Sequence, residues 1–457
     1  MKPYLQNVTT ELQTIEANFG KGLNQGTTKF NLEGGELFDS SNVTSKKYPS
    51  IQTRDGVSAY TSGTSITALG ERDATDIHYQ DGSVWKKFNG TSTVTVKTGL
   101  SAVTKGTIIS FNIGDYKYTL LMNGTDRFIY DGSTVTELTE APLTNLVAAH
   151  DSSVYAVLGR KLYVSKLGDV TEWNEALTTL TQTITNSSTD ATAIIEFDSY
   201  VYIFSLNSMH ILLGTDVENF KLTNIASNVG CVARLSPIVA GGKLMWLWYD
   251  GVYQFSGSMP QKISKNIDTF FETINMVYVH LAVSGSAGKR AYWSVPTGTS
   301  TINNKTIELN LETGKWYVHN IGYSDLVTMK DSLYGVAATA IVKLNSGTLD
   351  VAAKISWSFE TGMIMLSEIN KFKKISDMLL LARIPQGSIV NVAMADYDGT
   401  IFDTVDTIAG KGDSSMLYEI KAYPYSKDKA FRLKFFGIGE MEIHALHIKY
   451  RMNVRDK

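Results

Sequence analysis

The sequence predicts an all-β chain, organised as a β-propeller that is followed by an antiparallel β-sandwich and preceded by an extended N-terminal arm. Three observations predict this fold. A short strand that ends at a glycine recurs about every 43 residues, a polar turn and a further strand precede most copies, and the period stops near residue 350. A length of about 43 residues is typical of a four-stranded propeller blade.

Residues 1–50 are predicted to form the arm, with a short helix near its start. Leu12, Ile15 and Phe19 share one face at helical spacing. The Gly20–Lys47 stretch is rich in Gly, Asn, Ser and Thr, which is typical of an extended segment that crosses another surface, or of a loose terminus.

The glycine-closed strands occupy residues 51–350, the predicted propeller. The copies end at Gly90, Gly132, Gly168, Gly214, Gly257, Gly314 and Gly347. A single four-stranded sheet cannot cover both of its faces, whereas sheets packed around an axis cover one another and leave only short outer edges. Seven copies favour seven blades, and their uneven spacing leaves six blades plus an irregular pair of strands open.

The clearest copy is a hairpin within Gly241–Ser264. Leu244–Tyr249 is a run of six large apolar residues, as expected of a strand covered on both faces. Asp250-Gly251 is a strong two-residue turn signal, because both turn positions require positive φ. The following segment, Lys265–Asn275, departs from the repeat and predicts a two-turn helix inserted at one end of the ring.

Residues 351–457 are predicted to form the β-sandwich, because six longer strands follow one another there with turn signals between them. In one of these strands, Phe431, Leu433 and Phe435 alternate with Arg432 and Lys434. Such alternation predicts a strand with one buried face and one wet face.

Composition excludes several classes of function. The net charge of −3 provides no basic field that would hold a nucleic acid. Cys231 is the only cysteine, so neither an intrachain disulfide nor a multi-cysteine metal site can form. The first residues lack the apolar core of a signal peptide, and no 18 apolar residues run together. These features predict a chain made in a reducing compartment, neither secreted nor membrane-spanning.

Catalytic motifs are absent from the sequence. It contains no HExxH, GxSxG, phosphate-binding loop or CxxC. A propeller glycosidase would need two carboxyl groups about 5–10 Å apart, but the acidic residues lie mainly at turns, where Asp is a turn former. We therefore expect no enzyme and neither a cofactor nor a metal, with a glycosidase as the less favoured alternative.

Five residues are candidate interface or ligand contacts. Trp173 and Trp316 could stack on sugars if they lie on the surface, or could pack over a neighbouring blade. Lys371, Lys373 and Lys374 form a basic cluster before a strand of the third region, which could be either an interface rim or a solvated face.

Several segments, taken in order, resemble proteins of tailed-phage virions of the tail-hub, tail-nozzle and DNA-stabilisation type. The segments are IQTRDG at Ile51–Gly56, KLYVSKLGDVTEWNE at Lys161–Glu175, DGVYQFSG followed by PQKIS, NLETGKWY near Asn310, and the WSFET opening of the last region. Asp55 departs from the pattern, since it stands where proline is common. The likeness extends from about residue 26 to residue 450.

This resemblance implies a structural protein of the virion tail, synthesised in the host cytoplasm. Such proteins form a ring that extends or closes the DNA channel at the head-tail connector, tail hub or nozzle. Its partners would be other phage structural proteins and further copies of this chain in a cyclic homo-oligomer, with a hexamer favoured. Genomic DNA would pass without sequence recognition, and no membrane would be involved. A carbohydrate- or receptor-binding propeller at the tail tip is the alternative.

Overall fold

The computed structural model describes residues 12–102, 105–173, 189–214, 219–366, 373–396, 402–421, 427–428 and 430–452. The chain divides into two compact units. The propeller unit contains Ser58–Gly314 and Ile321–Asn345, and the sandwich unit contains the residues up to Val57, Lys315–Asn320 and the residues from Ser346 onward. The N-terminal residues, which were expected to form a separate arm over 1–50, thus share a unit with the C-terminal strands.

The propeller unit contains seven consecutive antiparallel sheets within the described residues, here called blades 1 to 7. Blade 1 consists of Ile66–Arg72, Asp76–Asp81, Val84–Phe88 and Thr93–Thr98, and blade 2 of Thr107–Ile113, Tyr116–Met122, Arg127–Tyr130 and Val135–Glu137. Blade 3 consists of Leu146–His150, Ser153–Leu158, Lys161–Lys166 and Asp169–Trp173, and blade 4 of Ala191–Phe197, Tyr200–Ser205, Ser208–Leu213 and Lys221–Ser227. Blade 5 consists of Ile238–Ala240, Lys243–Trp248, Gly251–Phe255 and Gln261–Lys262. The strands of blade 6 that belong to this unit are Val283–Ala287, Arg290–Val295 and Lys305–Asn310. Blade 7 consists of Leu326–Met329, Ser332–Ala337, Ala340–Lys343 and Ser58–Ser62.

Blade 7 closes the ring with a strand from the start of the unit. Ser58–Ser62 precedes blade 1 in the chain but pairs with Ala340–Lys343 as the outer strand of blade 7. The first strand of blade 7 contacts the first strands of blades 6 and 1, so the innermost strands meet around the axis. This closure confirms the predicted β-propeller, in its seven-bladed form.

Removing the Tyr60 side chain is expected to weaken this closure. The Tyr60 ring lies 4.9 Å from the Phe88 ring of blade 1 and 4.7 Å from the Tyr334 ring of blade 7, between ring centroids. We expect Tyr60→Ala to lower the free energy of unfolding by about 2 kcal/mol, because two aromatic contacts and their buried area are lost. Urea denaturation measures the change, with Tyr116→Ala as control, since Tyr116 is 73% exposed. Equal effects of the two substitutions would contradict this role of Tyr60.

The repeat seen in the sequence marks one place in every blade. Each of the seven glycines follows the third strand of its blade. All seven have φ between 66° and 109°, a conformation that glycine adopts at little cost. The polar turns upstream join first strands to second strands, and several of them have two successive residues at positive φ, such as Asp151-Ser152. This is the geometry of a type I′ hairpin.

The central hairpin of blade 5 differs by one residue from the prediction. Trp248 pairs with Gly251, so the turn residues are Tyr249 and Asp250, and neither they nor Gly251 has positive φ. Gly251 is required for another reason, because a Cβ there would collide with Ser264 Oγ. The apolar run itself is a strand, Lys243–Trp248, and its central residues are buried as predicted.

The insertion after blade 5 is helical, as predicted. A 3-10 turn at Lys265–Ile267 continues into an α-helix at Asp268–Phe271, and a second 3-10 turn occupies Val279–Leu281. Its apolar side chains Ile267, Phe270, Phe271 and Ile274 are all buried. Ser264 is the N-cap residue of the first turn, and its side chain makes no capping bond.

The sandwich unit contains two antiparallel sheets. The first consists, in order, of Val43–Thr44, Ile51–Thr53, Glu442–Met452, Lys373–Arg383 and Met416–Glu419; in addition, Leu12–Ala17 pairs with Glu442–Met452 and Lys427–Asp428 pairs with Lys373–Arg383. The second consists, in order, of Leu37–Ser41, Ser356–Thr361, Ala430–Ile438, Ile389–Asp396 and Asp403–Ala409, and Ile364–Met365 pairs with Ala430–Ile438. Lys315–His319 and the short pair Leu349–Asp350 and Ala353–Lys354 belong to the same unit. One continuous apolar core contains side chains from both sheets, such as Leu380 from the first and Leu433 from the second. The predicted sandwich is thus present.

Two local expectations for this unit are wrong. Leu12–Ala17 is a strand paired with Glu442–Met452, not a helix, because the distant strand supplies backbone partners that the local pattern does not reveal. Arg432, expected on a wet face, is only 3% exposed. Its guanidinium forms an ion pair with Glu360 and lies over the Phe402 ring, 4.8 Å from the centroid. The pair satisfies a charge that would otherwise be costly to bury.

Candidate functional site at the propeller axis

The candidate site is a cavity at the end of the propeller where the first strands of the blades begin. Its volume is about 370 Å³. It is lined by Lys105, by segments 145–146, 191–192 and 280–283, and by Val232, Arg234 and Leu235 from one further segment. Each of these segments lies at or shortly before the first strand of one of blades 2 to 6, so the ring itself brings them together.

Arg234 reaches across this end of the ring from blade 5 to blades 2 and 3. Its Nη1 donates to Asn145 O at 3.0 Å and to Thr107 Oγ1, and its Nη2 donates to Gly106 O at 3.0 Å. Blade 4 lies between these blades in the order of the chain. The guanidinium therefore bridges loops that are not neighbours in the ring.

Lys105 makes a second bridge, from blade 2 to blade 7. Its Nζ donates to the backbone carbonyl of Ser324, beside the buried carboxylate of Asp325. Asp325 accepts hydrogen bonds from Leu326 N at 2.9 Å and, from blade 1, Leu69 N at 3.1 Å. The two bridges thus join blades 2 and 7, and blade 5 to blades 2 and 3, at this end of the ring.

Burial governs the ionisation of these three charged groups. Loss of water raises the pKa of Asp325, although Lys105 and Arg234 favour its charged form. Burial likewise lowers the pKa of Lys105, and it lowers the pKa of Arg234 to about 10. The carboxylate acts in the opposite direction on both cations and favours their charged forms. Shifted pKa values of this kind are typical of functional sites as well as of structural ion clusters.

The residues proposed from the sequence lie elsewhere. Trp173 and Trp316 are buried, 6% and 2% exposed, so neither presents a ring for stacking on a sugar. The Trp173 indole donates to Val170 O at 2.9 Å and packs in the core of blades 2 and 3. Of the two alternatives, stacking on sugars therefore fails for both side chains, and packing against a neighbouring blade applies to Trp173.

The basic cluster is divided. Lys373 is buried, 1% exposed, in the strand Lys373–Arg383, opposite Asp428 in register, whereas Lys374 is exposed on the same strand. Lys371 lies outside the described residues. Lys373 thus cannot act as part of a solvated basic face.

Sequence reasoning missed Lys105, Arg234 and Asp325. They are far apart in the chain and share only their position, shortly before the first strand of a blade. A charged residue at that phase of the repeat is the signal that could have identified them.

Among the described residues, no cluster of three or more His, Cys, Asp or Glu side chains could hold a metal. Within the same residues, no helix is long and apolar enough to cross a membrane.

Comparison with known proteins yields likeness of fold only. No family model and no curated protein matches the chain. A Streptogramin B lyase structure is similar over 65% of this chain and 97% of its own, with 10% identity and a TM-score of 0.45. The extracellular domain of a putative hybrid two component system from B. thetaiotaomicron is similar over 88% of this chain and 62% of its own, with 9% identity and a TM-score of 0.48. At such values no activity carries over, and the propeller assignment rests on the blades described above.

Proposed function

We propose that this chain is a structural component of a bacteriophage tail, one subunit of a ring at the head-tail connector, hub or nozzle that extends or closes the DNA channel. The proposal rests on the order of virion-protein motifs along the sequence. KLYVSKLGDVTEW covers the third and fourth strands of blade 3, and DGVYQFSG covers the turn and third strand of blade 5. PQKIS leads into the helical insertion, and WSFET is a strand of the sandwich. These motifs are elements of architecture rather than parts of a catalytic centre.

The side-chain bridges across one end of the propeller support the same role. In a tail ring, DNA would pass through the opening enclosed by several subunits, and the hole of each propeller would need no clearance. The bridges made by Arg234 and Lys105 agree with this arrangement. The alternative of sugar binding through Trp173 and Trp316 loses its basis, because both side chains are buried.

The oligomeric state tests the proposal. We expect the full chain, alone or with its adjoining connector protein, to form a closed ring, with six copies favoured, in mass photometry and in images of the assembled particle. A monomeric propeller of similar mass serves as the mass control. Only monomers under both conditions, or imaging that finds no copy of the chain in the tail, would count against it. Binding on a glycan array by a monomer would favour the receptor-binding alternative.

A further inference from the structure

We propose that the axial cavity binds a small molecule that carries an oxyanion group, a carboxylate or a phosphate, held between Lys105 and Arg234, with a short apolar body against the cavity wall. This inference goes beyond the tail function and does not depend on it.

The first argument is the balance of charge. Two basic side chains, Lys105 and Arg234, line the cavity, and the acidic side chain of Asp325 lies beside them. The hydrogen bonds of both cations described above go to neutral oxygen atoms, namely backbone carbonyls and the Thr107 hydroxyl. Basic groups therefore outnumber the acidic one in a partly desolvated setting, where a bound anion gains more from Coulomb attraction than it would in water.

The second argument is hydrogen-bonding capacity. An ammonium group has three N–H donors and a guanidinium has five. The bonds above use one donor of Lys105 and three of Arg234. The same bonds also fix both side chains in place, so a ligand would meet donors that are already oriented.

The third argument is the shape and lining of the cavity. A volume of about 370 Å³ is at the lower end of the range for small-molecule sites, about 300–1,000 Å³. Leu146, Val232 and Leu281 supply apolar surface next to the two cations. This combination fits a short aliphatic acid or a small organic phosphate better than a bare ion.

Calorimetry on the full chain tests the site with three probes: inorganic phosphate, succinate and pentanoate. We expect saturable binding of at least one probe, weakened at least tenfold by Lys105→Met. The matched control is Lys166→Met, which removes an exposed lysine that is paired with Glu172 on blade 3. It should leave the affinity unchanged, and circular dichroism should show that both variants are folded.

A second variant keeps the test decisive if Lys105→Met fails to fold. Thr192, partly exposed in the cavity wall, can be replaced by glutamate, which places a carboxylate in the site and leaves the bridges intact. We expect Thr192→Glu to abolish binding of the same probe. Absence of saturable binding to the unmodified chain at millimolar concentrations, or equal affinity in the Lys105 or Thr192 variant and the control, would overturn the proposal.

Discussion

Arg54→Met is expected to destabilise the sandwich unit by about 3 kcal/mol, the largest effect of the single substitutions considered. Arg54 is 7% exposed and pairs with Asp350 through two hydrogen bonds, Nη1 to Oδ1 at 2.8 Å and Nη2 to Oδ2 at 2.6 Å. Its Nε also donates to Asn42 Oδ1 at 3.0 Å. Removing one partner of a buried pair costs about 3–5 kcal/mol, and the partial exposure of Asp350 sets the lower end here.

The Asn42 side chain spreads the effect through the unit. It accepts a hydrogen bond from Asn320 N at 2.8 Å and donates one to Ser356 O at 2.7 Å. Loss of the guanidinium thus removes one of the hydrogen bonds that hold Asn42 in place between Asn320 and Ser356. Urea denaturation followed by tryptophan fluorescence measures the change, because Trp357 lies in the core of this unit.

A matched substitution and a double variant separate the mechanisms. Lys46→Met breaks the partly exposed pair between Lys46 and Asp55 and should cost less than about 1 kcal/mol. Arg54→Met combined with Asp350→Leu should recover part of the loss, because no unpaired carboxylate remains. If Arg54→Met and Lys46→Met lower the free energy of unfolding equally, the buried pair contributes no more to stability than the partly exposed one.

His78 is expected to make the propeller unit less stable by about 3 kcal/mol at pH 4 than at pH 7. The side chain is fully buried, with the Trp85 and Tyr130 rings each 5.8 Å from its own ring. Neither ring nitrogen has a hydrogen-bond partner among the described residues. Burial, assisted by the positive charges of Lys87 and Arg72, lowers the pKa of His78 from 6.5 to about 3.

The direction of the effect follows from proton binding. Below pH 6.5 the unfolded chain binds a proton at this histidine, whereas the folded chain does not until about pH 3. The contribution to stability is therefore complete above pH 6.5 and decreases as the pH falls towards 3, by up to about 1.4 kcal/mol per pH unit.

Substitution isolates this contribution from the other titrating groups. His78→Leu should remove the pH dependence that one proton causes between pH 6.5 and pH 4, as measured by urea denaturation at several pH values. His280→Gln, which changes an exposed histidine, should retain the dependence of the unmodified chain. If the His78→Leu chain keeps the full slope, the buried histidine is not its source.

The blade repeat could be predicted from the sequence because its cause is local. A turn that needs positive φ selects glycine, and the third strand of every blade ends in such a turn, as at Gly132 and Gly257. The turn at Tyr249 and Asp250 lies one residue from its predicted place because the glycine beside it is there for a tertiary contact, not for the turn. Gly251 is required by the close approach of Ser264, a contact that no turn rule contains.

Features that depend on distant partners could not be predicted. Leu12–Ala17 has the composition of either a helix or a strand, and only pairing with Glu442–Met452 decides between them. The axial site is a stronger example, since Arg234 meets Asn145 and Gly106 only after the ring has closed. Apolar periodicity reports which residues are buried, but it does not report which charged residues meet across an axis.

The pairing of strands that lie far apart in the sequence has a consequence for synthesis on the ribosome. Blade 7 cannot be completed until Ala340–Lys343 has emerged to receive Ser58–Ser62, which was made long before it. Glu442–Met452 pairs with Leu12–Ala17, Ile51–Thr53 and Lys373–Arg383, so one sheet of the sandwich lacks a central strand until Glu442–Met452 has been made. A nascent chain thus exposes unpaired strand edges until these residues emerge, and termination just before Glu442 would leave both Leu12–Ala17 and Lys373–Arg383 without their shared partner.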